Sequence, residues 1–68
     1  MNLWVTLYQD EDGVWIAECP LIPGCISQGE NRQDALLNVQ EAAQACLEVR
    51  AAQGLPLTLE TAQIQVAA

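Results

Sequence analysis

Cys19-Pro-Leu-Ile-Pro-Gly-Cys25-Ile-Ser-Gln-Gly29 lies between two short apolar segments and leads into an Ala/Leu-rich run that begins at Asn31. Pro20 has no N–H to give to a sheet ladder, so a strand arriving from the N-terminal side must stop near Cys19. Pro23-Gly24 is a turn dipeptide. Beyond it, 25–28 alternate apolar and polar residues and read as a short strand that Gly29 closes.

Working outward, Leu3, Val5 and Leu7 alternate with Trp4, Thr6 and Tyr8, a period of two that predicts a strand over 2–8. Asp10, Glu11, Asp12 and Gly13 supply turn residues, and the strand pattern resumes over 14–19, so the two runs read as a hairpin. From Asn31 the period changes. Asn31 is a good N-cap, with Asp34 at the capping-box position and near the positive end of a helix dipole. Ala35, Leu36, Val39, Ala42, Ala43, Cys46 and Leu47 recur at helical spacing, and Gly54 followed by Pro56 ends the pattern. A helix over 32–53 is expected. Ala62, Ile64 and Val66 then alternate with Gln63 and Gln65, which predicts a fourth strand over 61–67. The expected architecture is one α+β domain of order β-β-β-α-β, a three-stranded antiparallel meander plus a fourth strand with the helix on one face.

One helix covers only one face of such a sheet. Both faces of the first two strands are apolar or aromatic, so the uncovered face is expected to meet a partner or a second copy. Trp4, Thr6 and Tyr8 on that face, with Leu37 off the main helical stripe, are the candidate self-association contacts, and a homodimer or higher homo-oligomer is expected. A chain of 68 residues gives the same expectation. A core this small rarely supplies more than roughly 3–5 kcal/mol, and association adds buried area.

Nine acidic residues stand against Arg32 and Arg50, a formal net charge of −7. Such a chain repels phosphate backbones, so direct nucleic-acid binding is not expected. The charge suits a basic protein partner, because complementary charge speeds association and selects against wrong partners. No run approaches a membrane span. Three cysteines without a secretory signal pattern point to the reducing cytoplasm.

Catalytic chemistry finds little to stand on. Cys19 and Cys25 are spaced more widely than zinc-knuckle pairs, and the sequence has no histidine. Cys46 falls on the apolar helix stripe, where a free cysteine behaves as a small apolar residue. Asp10, Glu11 and Asp12 lack the spaced oxygen ligands of a calcium loop. No glycine-rich phosphate loop occurs. No metal, cofactor or catalytic residue is expected.

Asp12-Gly13 with Trp15, Ala17 and Pro20, then Leu21-Ile22-Pro23-Gly24-Cys25, Ser27-Gln28-Gly29, and Ala35-Leu36 with Asn38 and Glu41-Ala42, is similar to the N-terminal domain of the HicB-like antitoxins. The similarity covers about residues 3–50. It implies a partial ribonuclease H-like β-β-β-α-β unit that self-associates, and an antitoxin that binds and neutralises a small basic RNA-cleaving toxin of HicA type. Within these residues no basic tail or DNA-binding segment follows the domain, so binding to an operator is not expected of this chain. Asp10, Glu11 and Asp12, with Glu18 and nearby Trp15, are the candidate partner contacts. The alternative is an orphan oligomerisation or interaction module with no toxin partner.

Overall fold

A computed structural model describes all 68 residues as three strands and one helix. The strands are β1 (Thr6–Gln9), β2 (Trp15–Glu18) and β3 (Ile26–Gly29), and the helix is α1 (Arg32–Ala52). The sheet is antiparallel in the order β1-β2-β3, with Leu7 opposite Ala17 and Ala17 opposite Ser27. The α+β class and the meander agree with the sequence reading, and the helix starts where Asn31 predicts. The strands are shorter than the alternation suggests. Leu3 and Val5 pack against the core without belonging to a ladder.

The turns have identifiable causes. Asp10 accepts hydrogen bonds on Oδ1 from the backbone N–H of Asp12 (2.9 Å) and Val14 (3.0 Å), closing the β1–β2 loop as an Asx turn. Between β2 and β3, the Ile22 N–H donates to the Cys19 carbonyl and the Cys25 N–H to the Ile22 carbonyl, both at 3.1 Å. The Cys19 N–H in turn donates to the Cys25 carbonyl at 2.9 Å. These successive turns aim Cys19, Ile22 and Cys25 inward, each only 1% exposed. Half of the six-residue core, completed by Ala17, Ala35 and Val39, therefore comes from the segment around Pro20 and Pro23.

Asn31 caps α1. Its Oδ1 accepts from the Asp34 N–H at 2.8 Å, and its Nδ2 donates to Asp34 Oδ2 at 3.2 Å. At the other end the Gly54 N–H donates to the Ala51 carbonyl and the Leu55 N–H to the Arg50 carbonyl, the paired bonds of a Schellman cap. Gly54 takes φ 70° there, a conformation that disfavours a Cβ. Arg50 then fixes the exit, with Nε donating to the Pro56 carbonyl at 2.7 Å.

The helix is not centred on the sheet. It lies over β3 and β2 and leaves β1 largely uncovered. Gly29 sets this position. A Cβ there would fall 2.8 Å from the Asp34 backbone carbonyl carbon and closer still to the Ala35 nitrogen, so only glycine lets the helix start press on the end of β3. Asn38 adds a tie one turn on, its Nδ2 donating to the Gln28 carbonyl at 2.7 Å.

The fourth strand expected over 61–67 is not formed. The last backbone hydrogen bond into the body is Leu59 N–H to the Leu21 carbonyl at 2.8 Å. Beyond it the chain has no regular structure, and Ile64 and Val66 are 86% and 71% exposed. Alternation gives a segment the pattern of a strand, but a strand exists only where an edge pairs with it, and this segment reaches none in its own chain. The projection shows in the overall size. The radius of gyration is 13.7 Å, against about 11 Å for a compact chain of this length.

Two substitutions test the helix anchor. Gly29→Ala must displace backbone and is expected to cost about 1–3 kcal/mol, and Asn38→Ala about 1 kcal/mol, both read by urea unfolding. Unchanged midpoints in both would show that the helix is held elsewhere.

Candidate functional site

The helix and the strand pleat divide the candidate residues between two faces. Ala17 and Cys19 point to the helix side and are buried; Trp15, at the same parity, packs partly buried against that core. The outer face carries the opposite parity. Across it Thr6 lies opposite Glu18, and Tyr8 lies opposite Ile16, which is opposite Gln28. Thr6 Oγ1 also donates to the Glu18 carbonyl at 3.4 Å. Tyr8 and Ile26 are about half exposed, and Trp4 at the end of this face is 85% exposed.

The expected contacts therefore regroup. Thr6, Tyr8 and Trp4 share one face with Glu18, so residues assigned to self-association and to partner binding lie on a single surface. Trp15 does not join them, because its position in β2 turns it toward the helix. Leu37 is separated as well. It is half exposed beside Gln40, Glu41 and Gln44 on the solvent side of α1, away from the sheet's outer face. Ile16 and Ile26 complete the outer face and were not singled out from sequence. The strand alternation that placed Tyr8 would have found both, through their positions opposite Tyr8 and Glu18.

The acidic turn divides too. Asp10 spends one carboxylate oxygen on two backbone N–H groups and is a structural turn residue. Glu11 and Asp12 are exposed at the same loop and accept no hydrogen bond from within the chain. With Glu18 they leave negative charge at the turn and on the open face.

The thiols of Cys19, Cys25 and Cys46 gather on the helix side, all of them free. Burial pushes the Cys25 thiol up to about 11 from its ordinary 9.0. The neighbouring Cys46 and Cys19 add to the rise, and a backbone contact with Cys19 opposes it. A thiol held protonated is a poorer nucleophile than its thiolate. No group of three or more histidine, cysteine or carboxylate side chains is arranged to hold a metal ion. No helix is long and apolar enough to cross a membrane.

On the same side, the offset of α1 opens an apolar groove of about 410 Å³ between the chain entering β1 and the helix. Leu3, Val5, Leu36, Val39, Ala43 and Leu47 line it, and none of its lining side chains is charged.

Comparison with known proteins places the chain among relatives of similar extent. A UPF0150 protein of Thermoplasma acidophilum is 40% identical over 48 residues, 71% of this chain and 70% of the relative. The chain belongs to the UPF0150 family. Another member, from Synechocystis, is 36% identical over 59 residues, 87% of this chain and 75% of its own length. A third, from Archaeoglobus fulgidus, is 32% identical over 50 residues, 74% of this chain and 72% of its own. These UPF0150 names specify no activity or partner. No family model and no solved structure matches the chain.

The Cys25 thiol gives this site a pH signature. An acid that holds its proton more tightly when folded stabilises the fold below its unfolded value and loses that contribution as pH rises to the folded value. Thermal stability under reducing conditions is expected to fall between pH 9.0 and about 11. Cys25→Ala is expected to flatten that decline, and an unaltered decline would mean that other groups cause it.

Proposed function

We propose that this UPF0150 protein is antitoxin-like, binding and neutralising a small basic RNA-cleaving toxin of HicA type by covering its active surface. The observation that supports the reading is one surface, the outer face of the sheet. Tyr8, Ile16 and Ile26 give it an apolar centre, and Glu18, with Glu11 and Asp12 at the adjoining turn, gives it an acidic rim. Apolar centres supply most of the affinity of an interface, while rim charges steer approach and choose the partner. A chain of net charge −7 attracts a basic protein and repels the RNA that the toxin cleaves.

The finer fold expectation belongs to this reading. Three antiparallel strands followed by a helix are the first four elements of a partial ribonuclease H-like unit, and the fourth strand would come from 61–67. The reading also puts both proteins in the cytoplasm, where free thiols persist.

A second reading, an orphan oligomerisation module, is favoured by the unpaired apolar alternation at Ala62, Ile64 and Val66.

Co-expression with the product of an adjacent gene encoding a short, basic, histidine-containing protein tests the first reading. Wild type is expected to relieve growth arrest. The triple variant Glu11→Lys, Asp12→Lys, Glu18→Lys is expected to fail, with binding weakened at least about tenfold and less dependent on salt. Equal rescue and affinity from the variant, or no binding of a basic protein at all, would overturn it.

A further inference from the structure

We infer that Cys46 and Cys25 are a reversible oxidation site, Cys46 taking oxygen from hydrogen peroxide and Cys25 closing a disulfide with it inside one chain. The inference does not depend on the antitoxin reading, because both thiols lie on the helix side of the sheet and not on its outer face.

Two separate elements bring the sulfurs together. The turns around Pro20 and Pro23 aim Cys25 into the core, where it is 1% exposed. Cys46 stands two helical turns beyond Val39 on the same stripe of α1 and packs against that core. Its side chain contacts the Cys25 thiol directly and acts on it more strongly than the Cys19 thiol does. Cys19 is as deeply buried as Cys25, so neither of those two meets a solute first. Cys46 does. It is only half buried and lines an open cleft with Pro23, Val49 and Leu55.

Charge and size select the oxidant. A chain of net charge −7 repels an anionic peptide disulfide, whereas hydrogen peroxide is small and uncharged. The Cys46 thiolate attacks one peroxide oxygen and the O–O bond breaks. The sulfur is oxidised to a sulfenic acid, and the other oxygen leaves with the thiol's proton as water. The Cys25 sulfur then attacks the Cys46 sulfur, forming the S–S bond and breaking the S–O bond. The departing oxygen takes the Cys25 proton and leaves as a second water. Two thiols and one peroxide thus become one disulfide and two waters, and a dithiol reductant reverses the change. The bond ties the 19–29 segment to α1, across the same contact that Gly29 and Asn38 hold, and closing that loop restricts the unfolded chain.

Hydrogen peroxide treatment of the reduced full chain, followed by alkylation and mass spectrometry, tests this. Trypsin cuts after Arg32 and Arg50, which separates Cys46 from both other cysteines. The intact monomer is expected to lose the mass of two hydrogens. Peptide 33–50 is expected to be linked to peptide 1–32, with fragment ions placing the bond at Cys25. The urea midpoint is expected to rise on oxidation and return with a dithiol reductant. Cys46→Ser, at a half-buried position, is expected to form no bond and show no such rise. A bond confined to peptide 1–32, a bond to Cys19, or links only between chains would overturn the inference. So would Cys46 left unmodified, or Cys46 gaining oxygen while Cys25 stays a thiol.

Discussion

The contact between the end of β3 and the start of α1 at Gly29 governs the rest of this molecule. With no Cβ at that position, the backbone of Asp34 and Ala35 rests directly on the sheet, and the Asn31 cap and the Asn38–Gln28 hydrogen bond hold it there. A helix anchored on β3 cannot also cover β1. The core is consequently small, built from Ala17, Cys19, Ile22, Cys25, Ala35 and Val39, and it shades into an open apolar groove on the β1 side. A chain so thin in cross-section leaves three surfaces uncovered: the groove, the β1 edge and the outer sheet face.

Much of this was legible in the sequence, because the signals were local. Proline chemistry ended β2, Pro23-Gly24 turned the chain, and the Asn31–Asp34 pair started the helix, all within a few residues of where the structure has them. The cysteines of the 19–29 segment read correctly as packing residues, since the turns aim both thiols into the core. What was not legible depended on tertiary placement. The alternation over 61–67 predicts a strand, but pattern alone does not supply an edge to pair with. Trp15 stands near acidic neighbours along the chain, and strand parity puts it with Ala17 on the helix side. Leu37 reads from the sequence as lying off the main helical stripe, and the helix does carry it to the solvent side, away from the sheet's outer face. Nor did the sequence reveal that Asp10 is spent on its own turn.

The candidate contacts compete for one surface. One copy cannot use Thr6, Tyr8 and Glu18 for self-association and for a basic partner at the same time, because they form one patch. The proposed antitoxin reading assigns that patch to the basic partner, because a net charge of −7 opposes contact between like copies across an acidic surface and favours a basic one.

The central claim is that Gly29 seats the start of α1 on the end of β3 and so leaves β1 largely uncovered. Solution NMR on the full chain tests it most directly. The account predicts close proton contacts from the Gly29 methylene to the backbone amides of Asp34 and Ala35. Their absence, with the helix amides instead contacting β1, would contradict it.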